Sequence, residues 1–140
     1  MKDERVKDWM TREVVSINAD QSLPEAHKLM DEHRVRRLPV MDGEELVGIV
    51  TRGDVRQASP SDATSLSIFE LHYLLARLPV SDIMTKDPIS VSPSTRLTEA
   101  AKLMIANKVS GFPVLEGKQV VGVVTESDIF RAFVKLMEEG

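Results

Sequence analysis

The chain has 140 residues, of which 42% are hydrophobic and 29% charged, and its formal net charge is −4. This size and composition are typical of a small globular domain, and no uncharged run exceeds 8 residues, well short of the roughly 20 needed to cross a membrane. The absence of cysteine excludes disulfides and Cys-zinc sites. The first residues lack the apolar core of a signal peptide, so we expect a cytoplasmic location. The acidic balance disfavours non-specific binding to nucleic acid.

An internal repeat at an offset of 74 residues organises the chain. It aligns 6–55 with 80–129 without a gap, and 20 of the 50 pairs are identical. Register held over this length indicates a duplication. Duplicated copies usually pack about a pseudo-two-fold axis, which predicts equivalent grooves at their junction. The predicted domains are 1–66 and 67–140, the second including a connecting helix over 68–78.

Each copy predicts the order β-α-β-β-α, so the expected fold class is α/β. The first strand is β-branched and bounded by polar or proline positions, at 14–17 and at 89–91. A helix follows in both copies, because apolar residues recur at steps of three and four from Leu23 and from Leu97. Ser22 and Glu25 have the spacing of a capping box at the first of these helices.

Two further strands and a helix close each copy. The strands flank Asp42-Gly43 and Glu116-Gly117, which are typical turn pairs. A helix is predicted to open at Asp54 and at Asp128. The strands are expected at 37–41, 46–50, 112–115 and 120–124, and the breaker-rich stretch 58–63 is the one obvious linker.

Three motifs recur in both copies: Asp8–Thr11 with Asp82–Thr85, Leu38–Val40 with Phe112–Val114, and Gly48–Asp54 with Gly122–Asp128. At these motifs the sequence resembles the cystathionine-β-synthase (CBS) domain family, two copies of which form a Bateman module. The resemblance covers nearly the whole chain. It implies a regulatory, non-catalytic module that binds AMP, ADP, ATP or S-adenosylmethionine in clefts between the two halves, with no required cofactor or metal.

The Thr-x-x-Asp motif, Thr51 to Asp54 and Thr125 to Asp128, has two interpretations. Its spacing is that of a capping box, so the hydroxyl and the carboxylate could simply satisfy free amides at a helix start. Alternatively, the carboxylate accepts two hydrogen bonds from a ribose cis-diol while the hydroxyl and the helix amides face a phosphate. Repetition does not discriminate, because a duplicated fold needs its cap twice; the family resemblance favours the second interpretation.

The resemblance assigns further positions to the ligand. Residues around strand one lie where the family contacts adenine, and residues entering strand two lie where backbone groups meet the base edge. For the apolar members a plain role in the strand core stays open, and we prefer clefts that combine strands of one half with the Asp of the other. These positions are Thr11, Val15, Ser16, Val35, Arg36, Arg37, Leu38, Pro39 and Gly53, and in the second copy Thr85, Ile89, Ser90, Val109, Ser110, Gly111, Phe112, Pro113 and Ser127.

One basic concentration, Arg34–Arg37 with Arg52 and Arg56, adjoins these positions. Arginine forks suit phosphate oxygens, although a solvated strand end paired with Glu32, Glu44 or Glu45 is the alternative. The second copy carries Ser110-Gly111 in place of Arg36-Arg37. We therefore expect the two halves to differ in their response to phosphate.

The helices at 68–78 and 129–137 carry wide apolar stripes. Exposed apolar surface of this extent typically marks an interface, so we expect a homodimer and possible association with an effector protein. Burial of both faces within the fold is the alternative.

No catalytic motif is found: the sequence has no G-x-S-x-G, H-E-x-x-H, P-loop or G-x-G-x-x-G, and we expect no enzyme activity. His27 and His33 lie six apart on one predicted helix, which does not place them on one face as metal ligands. Two other hypotheses stay open, a ligand-free dimerisation or scaffold module and a nucleic-acid-binding protein.

Overall fold

The computed structural model describes residues 3–58 and 67–139, with Ile68 and His72 described by backbone alone. The predicted linker at 58–63 lies outside these ranges beyond Ala58, and the predicted domain boundary after residue 66 also falls there.

The chain forms two compact units that are grouped differently from the sequence copies. One comprises Val15–Pro88 and is called here the 15–88 unit; the other comprises Met1–Val14 with Ile89–Gly140 and is called the 89–140 unit. Each unit therefore contains most of one copy together with the opening segment of the other.

In the 15–88 unit, a four-stranded sheet has the order β1-β2-β3-β4. β1 runs parallel to β2, whereas β2, β3 and β4 pair antiparallel. β4 comes from the start of the second copy and pairs with Gly48 and Ile49 on β3. The elements are β1 (Ile17–Asn18), α2 (Leu23–His33), β2 (Arg37–Asp42), β3 (Glu45–Thr51), α3 (Arg52–Ala58), α4 (Ile68–Arg77), a 3-10 turn (Val80–Asp82) and β4 (Thr85–Lys86).

The 89–140 unit is built on the hairpin of β5 and β6. Single bridges add Thr11 to Val123 of β6 and Val91 to Val114 of β5. Thr11 thus occupies, beside β6, the place that Thr85 occupies beside β3. The elements are α1 (Val6–Trp9), α5 (Leu97–Asn107), β5 (Gly111–Glu116), β6 (Gln119–Thr125) and α6 (Glu126–Glu139).

The predicted hairpins are confirmed, with Gly43 and Gly117 in their turns at φ +64° and +63°, where glycine avoids Cβ strain. The predicted first strands are confirmed only at their last residues. Ile17 begins β1, whereas Val14, Val15 and Ser16 lie outside the sheet, because only Ile17 and Asn18 pair with β2. At 89–91 only Val91 forms a bridge.

The helix starts also differ from the predictions. Ser22 makes no side-chain capping bond; the amide of Leu23 donates instead to the carbonyl oxygen of Leu78 at 3.0 Å. α3 and α6 begin at Arg52 and Glu126, two residues earlier than predicted, so each motif Asp is the third residue of its helix.

Each unit has its own hydrophobic core, in which helices pack on the sheet. Each core combines buried strand residues with buried residues of a helix, α2 in the 15–88 unit and α5 in the 89–140 unit. The fully or nearly buried members include Ile17, Met30, Leu38, Val50 and Val80 in the 15–88 unit, and Val6, Met104, Phe112, Val114 and Val124 in the 89–140 unit.

Gly48 and Gly122 lie where the opening segments meet β3 and β6. A Cβ on Gly48 would approach the carbonyl oxygen of Thr85 to 2.8 Å, and one on Gly122 that of Thr11 to 2.8 Å. Because backbone must shift, we expect Gly48→Ala or Gly122→Ala to lower the free energy of unfolding by about 1–3 kcal/mol in a urea titration. Gly53→Ala is the control, since its Cβ meets nothing closer than 3.5 Å. Equal stability of all three variants would contradict this packing.

Candidate functional site

The first Thr-x-x-Asp motif joins the end of β3 to the start of α3. The Thr51 amide donates to Asp54 Oδ2 at 2.9 Å, and the Asp54 amide donates to Thr51 Oγ1 at 3.1 Å. This reciprocal pair is a capping box, so the capping interpretation is confirmed for this copy. The cap uses one carboxylate oxygen of Asp54 and fixes the orientation of the other.

The second motif repeats the position but not the bonding. The Thr125 amide donates to Asp128 Oδ2 at 2.8 Å, and the Thr125 hydroxyl also donates to Oδ2, at 3.4 Å. Asp128 Oδ1 forms an ion pair with Arg131 one turn along α6. Asp128 is 1% exposed, whereas Asp54 is partly exposed. The two carboxylates therefore differ in both exposure and partners.

The entry to strand two lies directly beside each helix start. The Arg52 amide donates to the Arg36 carbonyl oxygen at 2.9 Å, and Arg37 pairs with Thr51 across the hairpin. In the other unit the Glu126 amide donates to the Ser110 carbonyl oxygen at 2.9 Å, and Gly111 pairs with Thr125. Two predicted sets are thereby assembled, each within one unit: Arg36, Arg37, Thr51, Gly53 and Asp54; and Ser110, Gly111, Thr125, Ser127 and Asp128.

Other predicted positions are core residues or lie at the surface. The side chains of Leu38, Pro39, Phe112 and Pro113 are buried in the strands, so packing accounts for them. Val15 and Val35 are half-buried against the core of the 15–88 unit. Their repeat equivalents Ile89 and Val109 are more open, at 41% and 38% exposure, and offer apolar surface to a planar ligand.

The residues predicted to contact adenine are divided between the units. Thr11 belongs to the 89–140 unit, whereas Val15 and Ser16 belong to the 15–88 unit. Thr85 is likewise in the 15–88 unit, apart from Ile89 and Ser90. The chain crosses from one unit to the other within each predicted group, a feature that strand prediction did not reveal.

The basic cluster is only partly available for a ligand. Arg52 pairs with Asp31 at 2.9 Å, and not with the three glutamates that the sequence suggested. Arg34 ends α2 in the left-handed region, at φ 54°, while Arg36 is exposed. Beside them a shallow pocket of about 310 Å³ is lined by His27, Met30, Arg52, Val55 and Arg56. Within residues 3–58 and 67–139 no group of three metal-ligating side chains is found.

Asp31 and Arg131 were not among the predicted site residues. Arg131 follows Asp128 by three residues on a helix, a spacing at which side chains meet, so this ion pair could have been anticipated. Asp31 and Arg52 lie on different helices, α2 and α3, and only the fold brings them together.

The fold and the motifs define a duplicated α/β module whose helix starts present a capped carboxylate beside a strand entry. The chain belongs to the CBS domain family, whose profile matches residues 6–61 and 80–135, and it carries the two domains in tandem. The predicted family and α/β fold class are therefore confirmed. None of the described helices has the length and apolar character required to cross a membrane.

One curated relative and two solved structures are similar to this chain. The chain is 39% identical over 127 residues to inosine-5'-monophosphate dehydrogenase of Korarchaeum cryptofilum, covering 90% of this chain but only 24% of that enzyme. The structure of the CBS domain pair of protein MJ0100, in complex with 5'-methylthioadenosine and S-adenosyl-L-methionine, matches with TM-score 0.78 and 28% identity over 94% of this chain and 96% of that one. CBSX2 in complex with AMP matches with TM-score 0.79 and 28% identity, covering 96% and 98%.

The two motif carboxylates should differ in their tolerance of an amide. In Asp54→Asn the remaining oxygen can still accept a hydrogen bond from the Thr51 amide. We therefore expect the free energy of unfolding to change by less than about 0.5 kcal/mol. In Asp128→Asn the amide group would face the donors of Arg131, and the expected loss is about 1–2 kcal/mol. Thermal and urea unfolding measure both; equal losses would contradict the bonding described here.

Proposed function

We propose that this chain is a regulatory module that binds an adenine nucleotide or a related adenosyl ligand, with AMP, ADP, ATP and S-adenosylmethionine as the candidates. The proposal assigns no catalysis to the chain, no metal and no required cofactor. Support comes from membership of the CBS domain family and from the adenosyl compounds bound by MJ0100 and CBSX2.

The observation that carries the proposal is the geometry of Asp54. Its Oδ2 is held by the Thr51 amide at 2.9 Å, which fixes the carboxylate plane at the start of α3. Vicinal hydroxyls of a ribose can both donate to an ionised carboxylate, and such charge-assisted bonds are the strong ones. Capping and ribose binding are compatible, because a carboxylate has about four acceptor positions and the cap uses one.

Neighbouring groups suit the rest of such a ligand. The exposed Arg36 lies at the strand entry next to α3, where its guanidinium can reach a phosphate. The equivalent entry in the other unit carries Ser110 and Gly111, so neither of these two positions supplies a guanidinium there. We expect affinity at Asp54 to rise from adenosine through AMP to ATP, and this gain to shrink with salt.

Removing one ribose hydroxyl tests the carboxylate directly. Losing a charge-assisted hydrogen bond costs about 1.5–3 kcal/mol, or roughly 10- to 150-fold in affinity. In calorimetric titrations we expect 2'-deoxyadenosine to bind more weakly than adenosine by this factor. We expect Asp54→Asn to reduce adenosine affinity at its own site by the same factor, while the variant stays folded.

The control is Asp42→Asn, which removes an exposed carboxylate at the end of β2 in the same unit. It should leave adenosine binding unchanged. A protein that binds adenosine equally well with Asn at both 54 and 128 would overturn the ribose role. A protein that binds none of the adenosyl ligands by thermal shift or native mass spectrometry would instead be a ligand-free scaffold.

We also propose that the chain forms a homodimer through the outer faces of α4 and α6. Phe69, Tyr73 and Leu74 on α4 are exposed, Phe69 to 82%, and they border a groove of about 330 Å³. On α6 the exposed set is Phe130, Phe133, Val134 and Met137. Apolar surface of this kind is typical of an interface, and a second copy offers the same surface in return.

Part of each predicted stripe belongs to the core instead. Leu75 and Leu78 pack against the core of the 15–88 unit, and Ile129 and Leu136 against that of the 89–140 unit. Leu75 is therefore unsuited to an interface test, because a charge there would disturb folding.

Phe133→Asp should dissociate the dimer without unfolding the chain, since its ring is already 52% exposed in the single chain. Burying an aspartate in an apolar interface is strongly unfavourable. We expect light scattering to give a dimer for the wild type at micromolar concentration and a monomer for this variant, with unchanged circular dichroism. Lys135→Asp, on the same helix, is the control. A monomeric wild type would contradict the dimer.

A further inference from the structure

The two motif carboxylates differ in what holds their second oxygen. Asp128 Oδ2 accepts from the Thr125 amide and Oδ1 is paired with Arg131, so both oxygens are engaged. Asp54 Oδ2 accepts from the Thr51 amide, and within the described residues Oδ1 receives no hydrogen bond. The same helix position thus carries a closed carboxylate in one unit and an open one in the other.

A single substitution between the copies accounts for this difference. Arg131 is the sixth residue of α6, and the sixth residue of α3, 74 positions earlier, is Gln57. Residues three apart on a helix are neighbours, so an arginine at position 57 would reach Asp54 as Arg131 reaches Asp128. Glutamine carries no charge and makes no such pair.

A guanidinium and a ribose diol compete for the same acceptor. The Thr125 amide, the Thr125 hydroxyl and Arg131 use three of the about four acceptor positions of Asp128, so a diol that needs two must displace Arg131. The Arg131 side chain is 61% exposed, so its guanidinium can move into water at small cost. Asp128, 1% exposed, then needs a replacement donor, which the diol supplies. A ligand can therefore displace Arg131 from Asp128, so the ion pair weakens binding but does not prevent it.

We propose that Arg131 gates Asp128, so that a neutral ribose diol binds more weakly at Asp128 than at Asp54. This inference rests on the proposed function and names the residue that makes the two carboxylates unequal. Arg131 is a specificity-determining residue in this account, and Gln57 leaves its counterpart open.

Variants that retain one motif carboxylate make the comparison, with adenosine as the probe in calorimetric titrations. In the Asp54→Asn background, which reports on Asp128, adding Arg131→Gln should raise adenosine affinity about three- to tenfold. In the Asp128→Asn background, which reports on Asp54, adding Gln57→Arg should lower it by a similar factor. The second pair keeps the test independent of any loss of stability at Asp128.

Three controls separate the gate from general charge effects. Lys135→Gln removes the same charge from α6 at a residue that lies over the Trp9 ring and not at Asp128, and should change nothing. Gln57→Met replaces one uncharged side chain by another of similar length, and it should leave adenosine affinity at Asp54 unchanged. With 2'-deoxyadenosine, which lacks the diol, Arg131→Gln should give no gain.

The possible results separate the proposed gate at Arg131 from the proposed adenosyl-binding function. Adenosine binding that Arg131→Gln and Gln57→Arg both leave unchanged would overturn the gate while the adenosyl site stands. A gain with Arg131→Gln that Lys135→Gln reproduces would reduce the effect to net charge and also overturn it. Absence of binding by every adenosyl ligand in every variant would overturn both proposals.

Discussion

The hydrogen bond from a strand-end threonine amide to an aspartate carboxylate is the contact on which this module depends. It measures 2.9 Å from Thr51 to Asp54 and 2.8 Å from Thr125 to Asp128. It satisfies an amide that a helix start would otherwise leave free. It also holds the negatively charged carboxylate at the point where the strand ends and the helix begins. Under the proposed function the same carboxylate serves both stability and ligand recognition, so a substitution that deletes it should disturb both, whereas Asp54→Asn should separate them.

The two copies share their backbone features but differ in the side chains around the motif carboxylates. The hairpin pairs, the bulge in strand two and the left-handed residue that ends the first helix recur at equivalent positions, Arg34 and Lys108 both at φ 54°. Charged neighbours do not recur: Arg36 becomes Ser110, and Gln57 becomes Arg131. The repeated scaffold thus presents two carboxylates that differ in exposure and in hydrogen-bond partners.

The sequence patterns predicted those elements that depend on interactions between residues close together in the chain. Helix α2 and both hairpins followed from periodicity and turn residues, and the capping box at Thr51 followed from spacing. Contacts between distant segments were not predictable, because no local signal shows that Thr85 pairs beside β3 or that Thr11 bridges to β6. The apolar stripes of α4 and α6 also misled in part, since periodicity does not say which of two apolar faces the core uses; Leu75 faces inward and Phe69 outward.

The carboxyl ¹³C chemical shift of Asp54 during a titration with adenosine reports directly on whether a ribose diol binds this carboxylate. If the diol binds this carboxylate, its resonance should move and saturate with the calorimetric affinity, and 2'-deoxyadenosine should move it far less at equal occupancy. Saturable adenosine binding that leaves the Asp54 carboxyl resonance in place would show that the aspartate is a helix cap alone and contradict the account.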